Sequence, residues 1–464
     1  MPRLLVAGLS GGSGKTLVSM GMLLLFRRAG IDVRAFKKGP DYIDPAWLAW
    51  ASAGTARSLD TFLMGFGSVL ASFTRHGIDD GVNLIEGNRG LFDGFDAAGT
   101  HSSATLAEEL AAPVVLVVDA TKMTRTAAAL ILGCQHLDRN AEIRGVVLNN
   151  VGGRRHEAIL RDSIAAACSI PVVGAVPRAV RNPLPERHLG LIPPEEHQET
   201  EKLEENLLRM VGDYLDLDAL LSIARSASPL SFLPEESLAL PDASGLRVGY
   251  FLDSAFSFYY PENLEQIERA GATLIPISPL RAEMLPDNLH ALYIGGGFPE
   301  THARDLSGNV GFLGSIRGAS EAGLPVYAEC GGLMLLARSL SWRGQRYPMA
   351  GVFPFDVAVG ENPQGHGYSK LRVDAPNPFF AQGTILRGHE FHYSRLIPGA
   401  EPARTACAVI RGAGVFPGRD FLTAHNVMAG YTHLHALAAP QWAAGMLAAA
   451  QRFAAQTRGR QSLF

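Results

Sequence analysis

The sequence predicts an α/β protein of two doubly wound domains, and three observations lead there. Apolar runs of strand length alternate with segments of helix length in both halves, as in parallel sheets covered by helices. The first such run opens into a glycine-rich loop. At 464 residues the chain is also too long for one ordinary core. In the first half the strand-like runs are Leu4–Ala7, Val33–Phe36, Asn83–Glu86, Val114–Val118, Gly145–Leu148 and Val172–Ala175. Helices such as Thr16–Arg28 and Thr124–Leu137 lie between them, and an acidic amphipathic stretch, Thr200–Ile223, closes that half. Residues 224–245 then turn rich in Ser, Pro and Ala. Domains over 1–223 and 246–464, joined by a linker over 224–245, are therefore expected. A second alternating series follows in Arg247–Phe251, Thr273–Pro276, Ala291–Ile294 and Pro325–Ala328. The Gly-, Pro- and aromatic-rich stretch Ala350–Val427 predicts antiparallel strands, and the Ala-rich Gln441–Gln456 a terminal helix.

Composition excludes several functions. With 47% hydrophobic and 19% charged residues the chain is globular throughout. A net charge of -4 and scattered basic residues argue against a nucleic-acid or membrane-surface binder. No apolar run approaches the 18 or so residues of a membrane span. Four cysteines (Cys134, Cys168, Cys330, Cys407) stand far apart, without the paired spacing of a zinc site or a disulfide framework. A cytoplasmic location is expected, and the short apolar start does not read as a signal peptide.

The first motif is Gly8-Leu9-Ser10-Gly11-Gly12-Ser13-Gly14-Lys15-Thr16, between a strand and a helix. Backbone N–H groups of Gly11, Gly12, Ser13 and Gly14 are suited to cradle phosphates. Lys15 would reach the β/γ oxygens, and Thr16 would offer an oxygen to Mg²⁺. Gly8 stands one residue earlier than the usual spacing asks, so this is a variant loop, with a plain glycine turn as the alternative. Asp41 and Asp44 follow Lys37-Lys38 between two prolines, and Glu86 ends a strand before a loop to Asp93. Such carboxylates suit Mg²⁺, with solvated turn acids as the competing view; Glu86 is the strongest candidate. Lys37, Lys38 and Arg89 are candidates for an anionic substrate or a transferring phosphoryl group. Asn149-Asn150 ends another strand, where an amide suits an adenine edge or an ordinary turn equally.

The second motif is Pro325–Leu333, in which an apolar strand stops at Cys330 and two glycines lead into a helix. That elbow presents a nucleophile, and a helix N-terminus behind it would favour thiolate. Gly295-Gly296-Gly297, also after a strand, offers backbone N–H groups to an oxyanion, or else forms a structural turn. A base is needed, and fourteen histidines offer candidates. His389 and His392 lie on opposite faces of a strand, and His433 and His435 precede the last helix. Spacing alone does not choose between His433 and His435.

Together these motifs resemble the cobyrinic acid a,c-diamide synthase family. The resemblance rests on Gly8–Thr16, Lys38–Pro45, Glu86–Gly94, Gly295–Glu300, Glu329–Gly332, Gly388–Ser394 and Tyr431–His435, in that order. It implies a dethiobiotin-synthetase-like ATP domain joined to a class I glutamine amidotransferase-like domain. It also implies amidation of tetrapyrrole carboxylates with glutamine, ATP and Mg²⁺. On this resemblance Cys330 would form a glutamyl thioester, His433 would be its base, and Gly295–Gly297 with the Gly331 N–H would hold the oxyanion. Thr16, Asp41 and Glu86 would hold the metal; Lys37, Lys38, Asp44, Arg89 and Asp93 would face substrate and the transferring phosphoryl. Asn149 would lie at the nucleotide. A homodimer is compatible with the reading.

Two departures carry expectations of their own. His433-Leu434-His435 lacks the glutamate that commonly follows the histidine by two residues, which predicts a Cys–His dyad rather than a triad. Asn88-Arg89 resembles relatives proposed to amidate sirohydrochlorin or sirohaem, an alternative macrocycle for the same reaction. Two readings of another class remain: a phosphate-loop partitioning or metal-insertion ATPase with an inert second domain, and a tetrapyrrole carrier without chemistry.

Overall fold

The computed structural model describes residues 1–138, 140–178, 186–187, 190–191, 194, 200–230, 240–397 and 403–461. The chain divides into two compact units, Met1–Glu235 and Glu236–Phe464. The linker expected over 224–245 falls partly on 231–239, which lie outside the described residues.

The first unit is built on seven parallel strands. They are β1 (Arg3–Gly8), β2 (Val33–Lys38), β3 (Ala56–Leu59), β4 (Val82–Gly90), β5 (Val114–Asp119), β6 (Ile143–Val151) and β7 (Val172–Pro177), in spatial order β3-β2-β4-β1-β5-β6-β7. The strands are apolar along their length because helices cover both faces: Leu4, Val6, Leu84, Val115, Val117 and Val147 are all fully buried. Ala56–Leu59 escapes a pattern reading because Arg57 and Ser58 interrupt its apolar run. The acidic stretch after residue 200 becomes two helices, Thr200–Met210 and Leu217–Arg225, whose Leu203, Leu207 and Leu220 join the same core.

Register decides what meets at the carboxyl ends of these strands, where open α/β sheets bind ligands. Strand β4 lies between β1 and β2, and Glu86 pairs in register with both Val6 and Lys37. Strands β2 and β4 run on past Phe36 and Glu86 to Lys38 and Gly90. The glycine loop, Glu86 and Lys37 are thereby neighbours before any side chain is considered.

The second unit holds a ten-stranded mixed sheet. From one edge its order is Thr273–Ile277, Arg247–Phe251, Ala291–Ile294, Val326–Glu329, Val427–Gly430, Arg419–Ala424, Thr405–Arg411, Gly365–Val373, Ile385–His392 and His433–Leu434. The first five strands are mutually parallel and the remainder pair antiparallel. The antiparallel half matches the expectation from the Gly- and aromatic-rich stretch. A smaller four-stranded sheet includes Ser339–Trp342 and Asp356–Val359. The terminal helix, Gln441–Gln461, buries Trp442, Met446 and Leu447.

Candidate functional site

In the first unit, helix α1 (Lys15–Arg28) begins directly after Gly14. Gly14 has φ 85°, a left-handed conformation that glycine adopts freely, and a Cβ there would lie 2.1 Å from Asn149 Nδ2. Asn149 Nδ2 donates to the Ser13 carbonyl at 3.0 Å. That bond braces the loop and keeps the Asn149 amide beside it.

Around Lys37 the acids gather. Lys37 Nζ donates to Glu86 Oε1 and Asp44 Oδ2, both at 2.7 Å, and to the Gly87 carbonyl at 3.3 Å. Thr16 Oγ1 donates to the same Glu86 oxygen at 2.8 Å. Burial would depress the Lys37 ammonium, but Asp44 and Glu86 outweigh it and hold its pKa above the usual lysine range. Burial raises the Glu86 carboxyl, and it outweighs Lys37 there. Burial would also raise Asp44, yet Lys37 beside it keeps it lowered. Asp41 is pushed up to about 7 by burial and by Asp44. The Asp41 carboxylate accepts the N–H groups of Ile43 and Asp44 at 2.9 and 3.2 Å, at the start of helix α2 (Ile43–Ser52). Lys15 is buried, and desolvation, followed by Lys37, lowers its pKa.

Lys37 is 1% exposed and has three protein acceptors, through which it balances the buried acids. Lys38 is also buried, and burial lowers its pKa against the pull of Asp60. Asp60 in turn caps the helix starting at Thr61 by accepting from Phe62 and Leu63 N–H. Arg89 is exposed with φ 50°, and Asp93 accepts the Gly90 N–H at 2.9 Å across the turn. Glu86 Oε2 is buried with no hydrogen-bond partner. That orphan oxygen, with the Thr16 hydroxyl, fits a hard divalent cation. Asp41 takes both of its backbone donors on Oδ1.

In the second unit the elbow forms as the pattern predicts. Cys330 has φ 47° and ψ -98°, a conformation rare for any residue but glycine, and the helix Gly331–Leu336 starts behind it. Cys330 N–H donates to the Gly430 carbonyl at 2.8 Å, which holds the strained turn to the sheet. A Cβ at Gly332 would lie 2.6 Å from the Ile294 carbonyl oxygen, so only glycine lets this turn approach the Gly295–Gly297 loop. The thiol is 7% exposed, and burial, with Glu300 next, pushes its pKa up; the Gly331 N–H opposes this by donating to the sulfur. Desolvation at Cys330 thus opposes the short helix and disfavours the thiolate that the elbow alone would favour.

The glycine loop is also more differentiated than its sequence suggests. Gly295 N–H donates to the Tyr259 hydroxyl at 2.8 Å, so the expected oxyanion role of that N–H is corrected. Gly297 N lies 3.1 Å from where a Cβ of Gly331 would stand, so these two glycines face each other. A Cβ at Gly296 would lie 2.7 Å from His433 Cε1, which places the imidazole against the same loop.

The two histidines are separated by their surroundings. His433 Nδ1 lies 3.2 Å from Glu329 Oε2, and its ring stacks on His389 at 5.0 Å. His435 is completely buried, pairs with Glu262 at 3.4 Å and packs on Tyr260. His389, which Tyr260 also contacts, is held well below the usual histidine range by burial and then by His433 and His435. His392 stacks on Tyr431 at 3.6 Å and faces Glu390 at 3.5 Å. The expected absence of an acid beside the histidine is corrected, because Glu329 stands there. That acid is the residue immediately before the cysteine, and its sequence signal is that Tyr327 and Glu329 alternate onto one face of an otherwise apolar buried strand.

A nucleotide-binding unit and a glutamine amidotransferase unit in one chain define the class. Residues 4–192 match the model of the CobQ/CobB/MinD/ParA nucleotide binding domain, and residues 247–441 that of the CobB/CobQ-like glutamine amidotransferase domain. The chain is 43% identical to the cobyrinate a,c-diamide synthase of Magnetococcus marinus, covering 96% of each chain. It is 41% identical to that of Caldanaerobacter subterraneus subsp. tengcongensis over 84% of this chain and 86% of the relative. The Listeria monocytogenes enzyme of the same name is 39% identical over 94% of this chain and 96% of its own length. The chain belongs to the cobyrinate a,c-diamide synthase family.

Proposed function

We propose that this chain is a glutamine-hydrolysing, ATP-dependent ligase that amidates the a and c carboxylates of cobyrinate. The observation that carries the reading is the near-full-length likeness to relatives of that name. A buried thiol at a strained turn, His433 against the neighbouring Gly295–Gly297 loop, and a phosphate-type loop with Lys15 and Glu86 support it. The inert-second-domain reading does not account for Cys330 at a strained turn against the Gly297 loop.

In the second unit Cys330 gives its proton to His433 and attacks the side-chain carbonyl carbon of glutamine. A thiol this deeply desolvated needs that base. The tetrahedral oxyanion falls to the N–H groups of Gly331 and Gly297. Collapse breaks the C–N bond, His433 returns the proton to the leaving ammonia, and water hydrolyses the thioester to glutamate.

In the first unit the substrate carboxylate attacks the γ-phosphorus of ATP, releasing ADP and leaving an acyl phosphate. Ammonia then displaces phosphate and forms the amide. Backbone N–H groups of Gly11–Gly14 and the Lys15 ammonium bind the phosphates. Lys37 keeps Asp44 and Glu86 in place and their charge balanced. Thr16, Asp41 and Glu86 would hold Mg²⁺, which neutralises phosphate charge when bound. Arg89, exposed near the end of β4, and Asp93, on the turn after it, would face the macrocycle. No helix among the described residues is long and apolar enough to cross a membrane; action in the cytoplasm, as a homodimer, is part of the same proposal.

Incubating the purified protein with cobyrinate, ATP, Mg²⁺ and glutamine should release ADP and yield the diamide by mass spectrometry. Turnover of sirohydrochlorin with none of cobyrinate would move the assignment to the alternative macrocycle.

A further inference from the structure

We infer that Glu329 is the positioning residue of the glutamine site, supplying from the position before the nucleophile the carboxylate that orients His433. The inference rests on the amidotransferase reading above and adds a residue to it.

Glu329 ends the strand Val326–Glu329 and is fully buried. Each carboxylate oxygen is met by two groups. Oε1 accepts the Leu434 N–H at 3.0 Å and the Tyr327 hydroxyl at 3.1 Å. Oε2 accepts the Tyr293 hydroxyl at 3.3 Å and lies 3.2 Å from His433 Nδ1. Burial, with Glu329 second, raises both tyrosines well above their usual range, so they remain donors. A buried carboxylate with this many donors is held in one orientation.

Two anchors make the arrangement specific. Leu434 N–H fixes Oε1 to the residue after the histidine, so one carboxylate spans backbone and ring of the same segment. The short strand His433–Leu434 is itself tied to the sheet, with His433 opposite His389 and Leu434 opposite Gly388. A carboxylate at Nδ1 selects the tautomer with hydrogen on Nδ1, leaving Nε2 as the basic nitrogen for the thiol. Because Glu329 and Cys330 are consecutive, one strand end sets the position of both nucleophile and base. The glutamate missing two residues after the histidine is replaced from another direction.

Purely structural capping of the Leu434 N–H is the competing role, and Glu329→Gln separates the two. Glutamine keeps an oxygen for Leu434 N–H and Tyr327, but its amide presents N–H to Nδ1 and selects the wrong tautomer. The glutaminase kcat should fall by roughly 10²- to 10⁴-fold, as when a triad carboxylate becomes an amide. The KM for glutamine should stay within about threefold, since only an orientation needed in the transition state is removed. Amidation supported by ammonium chloride, which bypasses this site, should persist. Tyr293→Phe, which removes one donor but keeps the charge, should cost a few-fold in kcat and decides the matter if the Gln variant does not fold. A kcat within twofold of the unsubstituted protein for the Gln variant overturns the inference; so does an unchanged kcat for Tyr293→Phe should that variant alone be folded. Absence of glutaminase activity in the unsubstituted protein would instead overturn the amidotransferase reading.

Discussion

The two units each bury a carboxylate on a parallel strand, but they neutralise it differently. Glu86 is matched by a full charge: Lys37 stands 2.7 Å away, shared with Asp44. Glu329 is matched by hydroxyl and backbone dipoles and by one imidazole. A charge-balanced cluster tolerates the arrival of further charges such as phosphates and a cation, because its members can trade partners. A carboxylate fixed by neutral donors does not trade; it holds one ring in one orientation. The first arrangement suits a site where polyanions come and go, the second a site where a proton must move along one path.

Substitutions can break this comparison or sharpen it. The largest effect is expected for Cys330→Ser, which should lower glutamine-supported amidation by about 10³-fold or more. Amidation with ammonium chloride should stay within about twofold, and loss of both would show that the units are not chemically separable. His433→Asn should cost glutaminase about 10²- to 10⁴-fold, whereas His435→Asn, deep against Glu262 and Tyr260, should cost under tenfold. Equal losses from the two, measured as kcat, would remove the distinction their surroundings make.

Lys37→Met tests the other side. It leaves Glu86 buried without its counter-charge and should destabilise the first unit by about 3–5 kcal/mol in denaturant unfolding. It should also abolish amidation from either nitrogen source while sparing glutamine hydrolysis. A stability change under 1 kcal/mol would mean the cluster relaxes by proton uptake instead. The smallest effect belongs to Tyr259→Phe. Losing the hydroxyl that accepts from Gly295 should cost about 1 kcal/mol of stability and leave kcat within about threefold, since that N–H is engaged away from the oxyanion.

How much of this was legible in the sequence follows from the range of each interaction. The strand–loop–helix at Gly8–Thr16 and the elbow at Cys330 are local, because periodicity and glycine placement state them within about ten residues. The carboxylates at Asp44 and Glu86 were legible as strand-end or turn acids. Their attachment to Lys37 was not, since it depends on β4 pairing between β1 and β2. Glu329 was hidden for a related reason. Its partner lies 104 residues on, brought back by a two-residue strand at the far end of a mixed sheet. At Cys330 the helix of six residues is visible in sequence, whereas the desolvation that opposes it is a property of packing. Asn149 was legible as a strand-end amide, but its bond to the Ser13 carbonyl, 136 residues away, was not.

The most direct test of the account follows nitrogen from glutamine to product. Glutamine carrying a heavy-isotope amide nitrogen, supplied with cobyrinate, ATP and Mg²⁺, should give a diamide bearing the label at both new amides. With Cys330→Ser the label should not appear, while unlabelled ammonium chloride should restore the diamide. Label transfer that persists without the Cys330 thiol, or a product formed without consumption of ATP, would contradict the account.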